Sequence, residues 1–262
     1  MQTIHQSPPT ACTISVIVPV LHEAVRINDH IAHIKALAAA ATDVADVEIL
    51  VVDPEGDTLA ALAPENSGVH GGVRGVASPP GRARQMNAAA AAASGEILLF
   101  LHADTRLPDD GLQQVAAVLG PVVALIRLGQ MPAGLPEAGA FHLAFDDDGF
   151  FFRLMAGVAG LRNRLLATPY GDQAQFFTAR LFRELGGYPD LPLMEDVAIM
   201  HSVGRSGRRP AFAPGKAVTS ARRYREEGVL FAAARNTVLR LLYGLGVPAT
   251  RLARHYPRRR ST

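Results

Sequence analysis

The stretch "LLFLHADTRLP", Leu98–Pro108, begins as four apolar residues and closes on a His, an Asp, an Arg and a Pro. An unbroken apolar run of this length reads as a strand covered on both faces, as in a parallel sheet. Such a strand carries Asp104 to its carboxyl end, where a ligand or partner must balance the charge. "VEILVVD", Val47–Asp53, has the same design and ends on Asp53. "ISVIVPV", Ile14–Val20, is a third continuous β-branched run.

Helical patterns separate these runs. Val25, Ile27, Ile31, Ile34, Leu37 and Ala41 recur at spacings of mainly three and four. Pro and Gly dominate Pro64 to Gly81, with a short strand expected near Val73–Val76. "RARQMNAAAAAAS" is a strong helix former stopped by Gly95. Strands alternating with helices predict a doubly wound parallel sheet with the strand ends on one edge. Ligands bind outside those ends. Asp53 and Asp104 are therefore expected to face one crevice.

The second half is less regular. "GAFHLAF" (Gly139–Phe145) and "QAQFFT" read as strands, and "RRPAFAP" and "KAVTS" as two further short ones. "GFFFRLMAGVAGLRNRLL", "ARLFRELGG" and "LMEDVAIMHSVGRSG" read as helices, the last with Glu195 and Asp196 in its first turn. A long C-terminal helix follows. No repeat or linker interrupts the 262 residues, so one domain with a shared sheet is expected.

Bulk properties narrow the class. A net charge of +2 argues against a dedicated nucleic-acid binder. Cys12 is the single cysteine, which excludes an intramolecular disulfide or a multi-cysteine zinc site and fits a reducing compartment. The N-terminus lacks the basic-then-apolar pattern of a signal peptide, so a cytoplasmic location is expected. "VLFAAARNTVLRLLYGLGVP" is interrupted by Arg235, Asn236 and Arg240 and reads as a soluble or interfacial helix.

The acidic residues are the candidates for chemistry: Asp53, Glu55 and Asp57, then Asp104, Asp172 in "PYGDQ", and Glu195–Asp196. Taken singly, each fits a solvated loop or a helix cap, and Glu195–Asp196 fits the dipole of its helix. Gathered on one edge, they suit a hard cation, Mn²⁺ or Mg²⁺, which takes one or two carboxylates plus substrate phosphates. A further carboxylate held apart could act as general base. Arg82 and Arg84 stand at a Gly-led helix start, which favours an anion. Arg222 and Arg223 form a second basic pair that reads equally well as surface charge. There is no P-loop, and no Gly-x-Gly-x-x-Gly follows the first strand, which weakens ordinary NTPase and dinucleotide readings.

With these residues in place the chain resembles a family 2 glycosyltransferase of GT-A fold. "ISVIVPVLHEA", "EILVVDPEGD", "ASGEILLFLHADT" and "GGYPDLPLMEDVAI" match that family's segments in order, over roughly Ile14 to Gly207. The wording "SPPGRARQMN", "FLHADTRLP", "PYGDQ" and "LPLMEDV" resembles the bacterial arsenosugar-biosynthesis-type subgroup. The resemblance implies an α/β sheet, largely parallel with mixed strands in its second half. It divides the single domain 1–262 into a nucleotide-sugar-binding half (14–128), an acceptor and catalytic-base half (129–220), and a C-terminal helix with a basic tail (221–262). The activity implied is transfer of a sugar from a nucleoside-diphosphate donor, UDP type foremost, to a hydroxyl acceptor, inverting and divalent-metal assisted.

Carried over by residue, Asp53 binds the nucleobase, Pro19 and Glu23 line the nucleotide pocket, and Asp57 makes a second nucleotide contact. Asp104 holds the metal. Asp196 is the base, with Glu195 beside it. Gly139, Ala140 and Phe141 shape the donor–acceptor boundary, with Asp172 in the acceptor region. Arg82, Arg84, Asn87, Arg222 and Arg223 are the candidates for phosphate or nucleotide contact. His102 replaces the first Asp of the family's Asp-x-Asp, and ligation, phosphate contact and packing all stay open for it. The C-terminal helix can pack on the domain, form a homodimer, or sit peripherally on the inner membrane face beside a lipid-linked acceptor. A sugar-phosphate nucleotidyltransferase and a non-catalytic nucleotide-sugar binder stand as alternatives.

Overall fold

A computed structural model of the chain describes residues 11–66 and 72–256; the arginines of the tail at 258–260 lie outside the described residues. In chain order the elements are β1 (Cys12–Pro19), α1 (Ile27–Ala40), β2 (Val44–Val52), α2 (Asp57–Ala60), β3 (Val73–Val76), α3 (Arg82–Ala92), β4 (Ile97–Phe100), β5 (Thr105–Arg106), α4 (Gly111–Arg127), β6 (Ala138–Phe145), α5 (Phe150–Leu166), β7 (Phe176–Thr178), α6 (Ala179–Glu184), α7 (Glu195–Arg205), β8 (Ala211–Thr219), α8 (Arg222–Glu227), α9 (Val229–Gly244) and α10 (Ala249–Leu252).

The strands form one eight-stranded sheet in the order β3-β2-β1-β4-β7-β6-β8-β5. The first four run parallel. β7 enters antiparallel between β4 and β6, β8 returns parallel to β6, and β5 lies antiparallel on β8. This is the α/β GT-A architecture expected from the sequence, with both halves sharing one sheet.

Alternation along the strands builds two cores. Ile14, Val16 and Val18 of β1 face α1 and α4, joined by Ile31, Ile34, Leu112, Val115 and Leu119. Ile17, Leu50 and Phe100 face the other way, onto Met86 of α3, Phe182 of α6 and Ile199 of α7. Phe100, Phe177, Phe182 and Tyr188 meet at ring-centroid separations of 4.9–6.3 Å in the second core. Such aromatic pairs add roughly 0.5–1.5 kcal/mol beyond the area they bury.

Several elements depart from the expected set. α2, α4 and β5 are additional to it, and the one expected C-terminal helix is three, α8, α9 and α10. α4 carries Pro121 inside its apolar pattern, a residue that ordinarily ends a helix because it lacks the donor for the preceding turn. The two short strands expected around "RRPAFAP" and "KAVTS" are one strand, β8. Its register against β6 shifts between Ala140 and His142, and the N–H of Gly215 is satisfied by Gln114 Oε1 at 2.7 Å.

Candidate active site

A cleft opens at the carboxyl edge of β1 and β4. Pro19, Glu23, Arg82, His102, Asp104, Asp172, Glu195, Asp196 and Arg223 all line it. Residues far apart in sequence thus converge, and the sheet order explains how. β1 and β4 are hydrogen-bonded neighbours whose carboxyl ends reach the same rim.

The loop after β4 is held at both ends. Leu101 N donates to Ile17 O at 2.9 Å, which extends the parallel ladder beyond Phe100. Thr105 N donates to His102 O at 2.9 Å and closes a turn around Asp104. Ser220 N donates to Asp104 O at 3.0 Å, so the main chain of Asp104 is pinned to the end of β8.

The opposite wall is the start of α7. Met194 precedes it at φ +68°, a left-handed conformation that costs a non-glycine residue of order 1 kcal/mol or more. That turn sets Glu195 and Asp196 at the helix start. Glu195 is buried, and burial pushes its carboxyl up to about 7. Neighbouring Asp196 adds to the rise, and Arg82, 3.9 Å away, opposes it. Asp196 is oriented by two backbone donors, Gly171 N at 2.7 Å and Val197 N at 2.8 Å.

Asp172 completes the acidic lining. Its Oδ1 is shut off from solvent with no hydrogen-bond partner among the described residues. Burial raises its pKa, Asp196 and Asp104 add to the rise, and Arg240 and Arg162 oppose it. The guanidiniums of both arginines lie over the ring of Tyr170, 3.4 Å (Arg162) and 4.0 Å (Arg240) from its centroid.

Other candidates fall outside the cleft lining. Asp53, at the end of β2, accepts from the N–H groups of Glu55, Thr58 and Leu59 at 2.8–3.1 Å and thereby organises the loop into α2. Asp57 faces His22, with Oδ2 3.0 Å from Nδ1. Arg84 pairs with Asp190, and Arg222 lies 3.8 Å from Glu226. Asn87 donates to Tyr188 O at 2.8 Å and accepts from Tyr188 N at 2.9 Å. A Cβ on Gly187, at φ +76°, would stand 2.6 Å from Asn87 Oδ1, so the clip requires glycine there. Gly139, Ala140 and Phe141 are buried in β6. They reach the site only indirectly, since Phe141 O accepts from Gln173 at 2.8 Å in the turn that carries Asp172.

Sequence reasoning missed the share of α9. Asn236, Leu239 and Arg240 line the cleft together with Tyr170, Tyr224 and Tyr256. The available signal was the spacing of Asn236 and Arg240, one helical turn apart in an apolar segment.

An α/β sheet of this order, with acidic groups on the rim of its parallel half, defines a GT-A-type nucleotide-sugar fold. Residues 15–126 match the family model described as glycosyl transferase family 2. No curated protein matches the chain. Among solved structures it is similar to a mannosyltransferase from Pyrobaculum calidifontis in complex with GDP-Man and Mn²⁺, at TM-score 0.55 and 22% identity over 81% of this chain and 58% of that one. It is also similar to glucosyl-3-phosphoglycerate synthase from Mycobacterium tuberculosis in complex with Mg²⁺ and UDP, at TM-score 0.55 and 20% identity over 90% and 80%. A third is S. aureus TarS 1-349 in complex with UDP-GlcNAc, at TM-score 0.52 and 17% identity over 79% and 58%. The chain thus spans under two thirds of the mannosyltransferase and of the TarS fragment.

Proposed function

We propose that the chain transfers a sugar from a nucleoside-diphosphate donor to an acceptor hydroxyl, with inversion at the anomeric carbon. The observation that carries this reading is the Glu195–Asp196 pair, Glu195 buried and Asp196 half-buried, lining the same cleft as Asp104. In the reaction the acceptor oxygen forms a bond to the anomeric carbon as the bond to the diphosphate oxygen breaks. Asp196, fixed by Gly171 and Val197, takes the hydroxyl proton. Glu195 holds Arg82 near the leaving group by charge. Arg82 and Arg223 meet the diphosphate oxygens.

The residues present fit a divalent cation, Mn²⁺ or Mg²⁺. No cage of three or more His, Cys, Asp or Glu side chains exists among the described residues, as suits an ion that draws its other ligands from phosphate and water. Asp104 would hold it with His102 at hand, and the buried Oδ1 of Asp172 in the same cleft has no hydrogen-bond partner among the described residues. When bound, the cation stabilises the charge of the departing diphosphate. Asp53 keeps acceptor capacity on Oδ1 for the nucleobase; a UDP-type donor is proposed, in line with the ligands of two of the similar structures.

A thermal-shift screen of nucleoside diphosphates with and without Mn²⁺, on wild type and Asp104→Ala, tests the binding step. Mn²⁺-dependent stabilisation by one diphosphate, lost in the variant, is expected. Equal stabilisation of both proteins would exclude the metal role of Asp104. A second reading, a binder without turnover, is favoured by His102 standing where the family carries an acid. Donor hydrolysis under the same conditions removes it.

A further inference from the structure

α5 packs on the domain through one side only, where Phe152, Ala159 and Asn163 are buried. On its outer side Phe150, Leu154, Val158, Leu161 and Leu165 are between 51% and 75% exposed. At about 100° per residue these five fall within roughly 80° of the helix circumference, a continuous apolar stripe. α9 repeats the design. Ala232 and Leu239 are buried, while Phe231, Val238, Leu241 and, just past its end, Leu245 are 52–81% exposed. The helices meet at two places: Val229 and Met155 both pack against the cluster of Phe145, Phe152 and Ala221, and Arg162 and Arg240 share Tyr170. Apolar exposure organised in this way marks an interaction surface.

Charge identifies the occupant. Arg153 and Arg164 of α5 are exposed and flank its stripe, while Arg162 and Arg240 lie over Tyr170 and Arg235 of α9 is paired with Glu227; neither helix contains Asp or Glu. Of the acids just before these helices, Asp147 is paired with Arg225 and Glu227 with Arg235, and Asp148 is exposed. Beyond Tyr256 the sequence continues as Pro-Arg-Arg-Arg. A second copy bound through the same face would bring arginine-bearing helices against each other about a two-fold axis. An anionic lipid surface satisfies both the stripe and the charge. Among the described residues no helix is long and apolar enough to cross a membrane, so the fitting mode is lying in the interface.

We propose that α5 and α9 together dock the protein on an anionic bilayer surface through their outward apolar stripes. α9 thus has two sides: Asn236, Leu239 and Arg240 line the cleft, and the apolar stripe faces away from it. The proposal stands independently of the transferase reading, and its readout requires no substrate.

Co-sedimentation of the full chain with phosphatidylcholine vesicles, with and without phosphatidylglycerol, tests it. Binding to the phosphatidylglycerol vesicles that weakens with added salt is expected. The exposed-site variants Leu161→Glu/Leu165→Glu and Leu241→Glu are expected to lose about tenfold or more in partitioning at unchanged circular dichroism and Tm. Absence of partitioning by the wild type overturns the proposal. So does partitioning that survives the helix substitutions and is abolished only when the three arginines at 258–260 are replaced by serine. A concentration-dependent dimer in sedimentation velocity, dispersed by the same substitutions without vesicle binding, assigns the face to a second copy and also overturns it.

Discussion

The carboxylate of Asp196 accepts a 2.7 Å hydrogen bond from the backbone N–H of Gly171, tying the first turn of α7 to the turn that carries Asp172. His102 lies against the same glycine. A Cβ there would stand 3.2 Å from His102 Cε1 and 3.4 Å from Asp196 Oδ2. Gly171→Ala therefore presses on a metal-side and a base-side residue at once. Displacements below 1 Å are expected to lower kcat by about tenfold to a hundredfold while Tm stays within a few degrees. Steady-state kinetics beside a thermal melt checks this, and an unaltered kcat would mean that the spacing of His102 and Asp196 is not critical.

Asp196→Asn keeps the side-chain shape and removes the proton acceptor. A fall in kcat of about 10²–10⁴ is expected, with nucleotide affinity by calorimetry unchanged. Parallel losses in both quantities would assign Asp196 to binding instead.

Glu195 gives a stability signature. Its carboxyl is raised from an ordinary 4.5 to about 7, so between those values the native state binds more protons than the unfolded chain. Stability must then fall as pH rises through that window, by about 1–3 kcal/mol for this group alone. Glu195→Gln is expected to flatten that decline in urea titrations at pH 5 and pH 8. An identical decline in the variant would show that Glu195 is not the group responsible.

Asn87 and Arg82 both belong to α3 and separate cleanly. Asn87→Ala leaves the two main-chain groups of Tyr188 without their partner and is expected to cost about 1–3 kcal/mol in urea titrations, with nucleotide affinity retained. Arg82→Ala is expected to weaken nucleotide binding with little loss of stability, since its side chain is half exposed.

The parallel half of the sheet was legible because β1, β2 and β4 each carry a fully buried apolar run, Val16–Val18, Ile49–Val52 and Ile97–Phe100, and burial on both faces leaves such runs few alternatives. α4 was hidden by Pro121, and the continuity of β8 by Pro214 and Gly215, because a local rule about breakers says nothing of a distant side chain such as Gln114. Asp104, Asp172, Glu195 and Asp196 could be gathered from sequence since each sits beside a strand end or helix start. Arg240 could not. The spacing of Asn236 and Arg240 puts them on one side of α9, but their place in the cleft depends on how α9 folds back, which that spacing does not encode.

Tyr170 is the hinge between two kinds of event. Arg162 of α5 and Arg240 of α9 lie over its ring, and both bear on the charge of Asp172 inside the cleft. Any load that shifts either helix alters the field at Asp172, and any ligand that changes that field alters the preferred seat of the helices. Were the proposed surface docking and donor binding coupled through this contact, reciprocity would require each to change the other's affinity by one common factor.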